Sequence, residues 1–80
     1  MKFYELKYRC YDETPDPLKN HYIYERWEID PIKEIDADNG DQFNKYDGYQ
    51  EWTEVCEDKE EAEELMQEII DGKENVVICK

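Results

Sequence analysis

The sequence predicts an α+β fold, an antiparallel or mixed sheet of four to five strands with one amphipathic helix packed on one face. Three observations carry this. Apolar and polar residues alternate from the start of the chain, an Asp-Gly dipeptide separates two aromatic runs, and one helical stripe occupies residues 59–71. Placing a lone helix on one face of a sheet is the usual α+β solution. The predicted order is β-β-β-β-α-β, and 80 residues form a single small acidic domain, 1–80.

In "KFYELKYRCY" (2–11), Tyr4, Leu6, Tyr8 and Cys10 share one face and Glu5, Lys7 and Arg9 the other, which is the period of a strand. "DETPDP" (12–17) breaks it with two prolines. "HYIYERWEI" (21–29) reads as a second strand with Ile23, Trp27 and Ile29 on one face and Tyr22 and Tyr24 on the other; Pro31 cannot donate to a ladder and ends it. Residues 31–41 fit either a strand or a loop, with a tight-turn dipeptide at Asn39-Gly40. In "QFNKYDGYQEWTEVCE", a two-residue turn at Asp47-Gly48 pairs Tyr46 with Tyr49 and Phe43 with Trp52, an aromatic hairpin in register.

The helix follows. Asp58 is the expected N-cap, with Glu61 completing an Asp version of the capping box. Ala62, Leu65, Met66, Ile69 and Ile70 form its apolar stripe, and Gly72 is the expected residue just past its C-terminus. "NVVICK" (75–80) reads as a buried final strand.

Leu, Ile, Val and Phe number 15 of 80 and the net charge is −13, close to the composition of disordered chains. Nine Tyr and Trp residues and the clear periods argue instead for a small aromatic-rich core, of a size that gains from a partner or from dimerisation. Cys10, Cys56 and Cys79 are odd in number and lack a CxxC pair, so reduced thiols and a cytoplasmic location are expected. The charged start "MKFYELKYRC" does not read as a secretory signal, and no apolar run reaches the ~20 residues of a membrane span. The negative charge disfavours direct binding of nucleic acid or anionic lipid, so an electrostatic partner is a basic protein surface.

No catalytic constellation is legible. His21 is the single histidine, no spacing joins it to a cysteine, and there is no phosphate loop, HExxH or GxSxG. "DADNGD" (36–41) fails as a calcium loop, since Asp41 stands where Gly is needed and Asp47 where Glu is needed. No cofactor, metal or enzyme activity is expected.

The remaining signal is charge. Six of the eight residues 57–64 are acidic. Asp58, Glu60 and Glu61 complement a helix N-terminus and need no function. Glu60, Glu64 and Glu68 stand four apart on one stripe, where like charges destabilise, and Asp71 lies in the last turn, where the dipole disfavours an acid. Carboxylates about 6 Å apart along a helix approximate the spacing of phosphates on a nucleic-acid strand. The candidate partner-binding residues are therefore Glu57, Glu60, Glu64, Glu68 and Asp71, with Tyr22 and Tyr24 as apolar contacts. In size, charge and fold class over the whole chain, the sequence is similar to small acidic proteins of phages and other mobile elements, including anti-CRISPR and other anti-defence inhibitors. The resemblance implies a non-catalytic inhibitor that mimics nucleic acid and occupies a nucleic-acid-binding protein. The alternative is a self-associating structural module, possible as a homodimer, whose acids maintain solubility.

Overall fold

The computed structural model describes residues 2–13, 24–73 and 75–79. The long first strand, β1 (Phe3–Glu13), organises the sheet. β2 (Tyr24–Ile29) and then β3 (Lys33–Ile35) pair with it along one side, β5 (Tyr49–Cys56) along the other, all antiparallel. β4 (Gln42–Tyr46) forms the hairpin with β5, and β6 (Val76–Ile78) adds to β2 in parallel. The helix α1 (Lys59–Gly72) connects β5 to β6. The sheet is mixed, in the order β4-β5-β1-β2-β6. It has six strands, the additional one being β3.

Register explains β3. Tyr8 pairs with Ile29 and Glu5 with Lys33, so three steps on β1 face four on the opposing chain. One extra residue is a β-bulge, and Pro31 sits in it, where a missing N–H disrupts nothing. Pro31 therefore interrupts the pairing and does not end it. The bulge also moves Ile32 to the same face as Ile29, and both enter the core.

That core lies between one sheet face and α1. Leu6 and Ile29 are fully buried and Ile69 is buried beside them, and Tyr8, Ile32, Leu65, Met66, Ile70 and Val76 pack around the three. The expected apolar stripe of α1 thus faces the sheet, with Ala62 and Ile69 buried. The expected hairpin register is also present, with Tyr46 opposite Tyr49 and Phe43 opposite Trp52. Gly48 has φ 90°, whereas Asp47 is not in the positive-φ region. That excludes the type I′ turn and fits a type II turn with Gly at its third position.

Three expectations are corrected. Asp58 is the N-cap, with its carbonyl accepting from Ala62 N–H, but its side chain makes no capping bond. Asp58 is exposed, and water competes for the first-turn N–H groups. Gly72 lies inside the helix, because Lys73 N–H still donates to the Ile69 carbonyl; the left-handed residue is Asn75, φ 55°. Finally, β6 is not a buried strand. It is an edge with one neighbour, and Val77 and Ile78 are half exposed.

Candidate functional site

The helix α1 carries six carboxylates and one lysine, Lys59. Its inward side is fixed by the apolar stripe, so the acids stand outside: Glu60, Glu61, Glu63, Glu64, Glu68 and Asp71 are all exposed, as is Glu57 before the first turn. None of them forms an ion pair among the described residues; Asp71 accepts a hydrogen bond from Gln67 Nε2 at 2.9 Å. The last turn has no basic residue to offset the helix dipole.

The sheet face away from α1 is different. Strand alternation gives it Glu5, Lys7, Arg9, Arg26, Glu28, Asp30, Lys33 and Glu51. Among the residues whose side chains are described, four acids meet four bases there. Arg9 is its centre. The guanidinium donates twice to Asp30, at 2.6 and 3.0 Å, and lies 3.6 Å from Glu28 and 3.5 Å from Glu51, its cross-strand neighbours. The hydrogen bonds from Arg9 hold the Asp30 carboxyl below its ordinary range despite partial burial, and Asp30 raises Arg9 in return. Arg9 also approaches Cys79 Sγ at 3.9 Å.

Two aromatic rows cross the sheet. On the helix side Phe43 packs on Trp52 at 5.3 Å, Trp52 stacks on Tyr8 and on Trp27 at 5.4 Å each, and the Lys73 ammonium lies 4.9 Å over the Trp27 ring. On the open side Tyr46 stacks on Tyr49 at 4.7 Å, Tyr49 on Tyr11 at 5.0 Å, and the Arg26 guanidinium lies 4.8 Å over Tyr11. Burial and the Glu54 carboxylate, which accepts from its hydroxyl at 3.1 Å, push the Tyr8 phenol up. Burial and nearby carboxylates likewise push the Cys56 thiol up.

Of the site that the sequence proposes, Glu57, Glu60, Glu64, Glu68 and Asp71 lie together on the helix side. Tyr22 lies outside the described residues, and Tyr24 opens β2 opposite Glu13 in the strand register. The apolar surface on the helix side of the sheet is Phe43 with Trp52. The open-face row of Tyr11, Tyr49 and Tyr46 was only half legible: the hairpin pairs Tyr46 with Tyr49, but Tyr11 joins them through non-local register.

The acids of "DADNGD" are engaged locally. Asp36 pairs with Lys2 at 3.2 Å, Asp38 Oδ1 accepts from Gly40 N–H, and Asp41 Oδ1 accepts from Val55 N–H. Among the described residues no group of three or more His, Cys, Asp or Glu side chains is arranged to hold a metal ion, and no helix is long and apolar enough to cross a membrane. His21 lies outside the described residues. No family model, curated protein or solved structure matches the chain.

Proposed function

We propose that this protein is a non-catalytic acidic binding protein that presents the outer face of α1 to a basic surface on a partner. One observation carries the reading: charge is segregated. On the open sheet face the described acids and bases are equal in number and paired around Arg9, while the helix exposes six carboxylates beside a single lysine. Stability does not explain that arrangement. The Glu60–Glu64 and Glu64–Glu68 pairs each cost roughly 0.2–0.5 kcal/mol, and lysine at position 64 would reverse the sign.

In its sharpest form, the helix acids stand in for the phosphates of a nucleic acid and block the groove that binds it. That would be an inhibitor of the anti-defence kind, anti-CRISPR included, that phages and mobile elements deploy. Dense surface charge favours such a role, because it steers association with a basic groove. Cys56 and Cys79 are free thiols, which suits the reducing cytoplasm where such a target resides.

The test is affinity capture from a nuclease-treated lysate of the native host, with low-salt and high-salt washes, using the wild type and a Glu60→Lys/Glu64→Lys/Glu68→Lys variant. The expected result is a nucleic-acid-binding protein held at low salt, released by high salt or by competing nucleic acid, and not captured by the folded variant. A partner that the variant holds equally well refutes the charge reading.

A further inference from the structure

We infer that β4 is a dimerisation edge, on which a second copy of this chain adds antiparallel to form one continuous sheet. The inference stands independently of the acidic helix.

The free hydrogen-bonding groups of β4 are set by phase. Val55 N–H points toward the β4 side, where it reaches the Asp41 carboxylate, and Asp30 N–H donates to Lys7 O on the far side of β1. Antiparallel ladders alternate, so the odd residues of β5 bond to β4 and their partners Gln42, Asn44 and Tyr46 are consumed within the hairpin. The N–H and C=O groups of Phe43 and Lys45 point outward. A two-fold axis at Asn44 places Phe43 opposite Lys45 of the other copy, and Lys45 opposite its Phe43. Within Gln42–Tyr46 that register uses all four outward groups and sets no like charges opposite each other, while the flanking Asp41 comes opposite Asp47 of the other copy.

The side chains fit the same register. Both aromatic rows end on a cation at their inner end, Lys73 over Trp27 and Arg26 over Tyr11. Both are uncovered at β4, where Phe43 is 54% and Tyr46 44% exposed. In the dimer, Lys45 of each copy lies over Phe43 of the other, on the same sheet face, and supplies the missing cation. Charge also selects this strand. Gln42–Tyr46 holds one lysine and no acid in a chain of net charge −13. An edge lysine commonly blocks pairing, but here it meets an aromatic ring and not its own copy. A closed two-fold contact also ends growth after two copies.

Sedimentation equilibrium across the micromolar range tests this, together with amide exchange at low and high protein concentration. The expected results are a monomer–dimer equilibrium that tightens with salt, because two anionic chains repel, and Phe43 and Lys45 amides whose protection rises with concentration. Lys45→Pro removes the ammonium and, from the backbone, only an outward N–H, so it keeps the hairpin and abolishes the dimer. Lys45→Thr keeps the N–H and weakens the dimer several-fold. A chain that stays monomeric overturns the inference. So do edge amides whose exchange ignores concentration, a reading that holds even where Lys45→Pro fails to fold. A dimer kept by folded Lys45→Pro but lost on Ile78→Lys places the contact at β6 and overturns it as well.

Discussion

Arg9→Met tests whether the open face is held by charge. Arg9 is 15% exposed at its side chain and contacts three carboxylates, Glu28 on β2, Glu51 on β5 and Asp30 just past β2, with a two-bond contact to Asp30, itself 34% exposed. Breaking a fully buried pair costs ~3–5 kcal/mol and an exposed one ~0–1 kcal/mol. This cluster lies between, so the expected loss is ~2–4 kcal/mol, against a total of roughly 4–12 kcal/mol for a domain of this size. At ~4–8 °C per kcal/mol, Tm falls by roughly 10–30 °C. The pH dependence carries the sharper signature. Asp30 titrates lower in the folded state than in the unfolded one, so its contribution is present above the ordinary carboxylate pKa of ~3.9 and is lost as pH falls through the folded value. In Arg9→Met, Asp30 loses the partner that chiefly holds its carboxyl down, so its folded value moves back toward the ordinary range and this acid-linked loss shrinks. The gap between wild type and variant therefore closes as pH falls. Urea denaturation followed by the fluorescence of Trp27 and Trp52, at about pH 7 and about pH 4, reads both terms. A loss under ~1 kcal/mol that is the same at both pH values would refute the reasoning.

Other perturbations address single elements. Deleting Pro31 removes the extra residue and leaves Ile32 two strand positions from Ile29, still on the core face, with Lys33 still opposite Glu5; the deletion is expected to unfold in urea within about 1 kcal/mol of the wild type, and a loss of several times that would contradict the bulge. Gly48→Ala forces a Cβ onto φ 90° with open space around it, so the cost is backbone strain alone, ~1–2 kcal/mol by denaturant titration; a neutral result would exclude the type II turn. Glu64→Lys replaces two like-charge pairs with two opposite ones and is expected to stabilise by ~0.5–1 kcal/mol at low salt while weakening partner capture; destabilisation would mean Glu64 has a structural role that its exposure conceals.

What the sequence reveals here is what is local. The alternation of Tyr4, Leu6, Tyr8 and Cys10 is the pleat of β1, and Leu6 and Cys10 are buried as that pattern requires. The Asp-Gly hairpin register follows from turn length, and the α1 stripe from the 3.6-residue period. What escapes depends on neighbours distant in sequence. Pro31 reads as a terminator unless the four-against-three register is known. The β-branched run of β6 looks buried because its composition does not reveal that it pairs on one side only. Arg9 looks like one exposed residue of an alternating strand. Its role appears only when β2 and β5 bring Glu28, Asp30 and Glu51 to it. The open-face tyrosine row is hidden for the same reason: acids and tyrosines can be counted in one dimension, but the sheet decides that Tyr11, Tyr46 and Tyr49 gather on the face away from the acids of α1.

That division bears on how the chain can be both stable and strongly charged. Arg9 gathers Glu28, Asp30 and Glu51, Lys2 pairs with Asp36, and Asp41 accepts from a backbone N–H. The densest uncompensated acids sit on α1, whose inner face alone packs against the core. Like charges there repel through solvent, where screening falls to a Debye length of about 8 Å at physiological salt, so each costs tenths of a kcal/mol. The same carboxylates placed on β1 or β2 would be partly buried and cost several-fold more. A helix laid over one face of a sheet is therefore the least costly place in this fold to hold a dense negative surface. A two-fold contact at β4 would continue the sheet without crossing that surface. It would set two such helices on one side of a single sheet, so that assembly doubles the charged face and leaves it exposed.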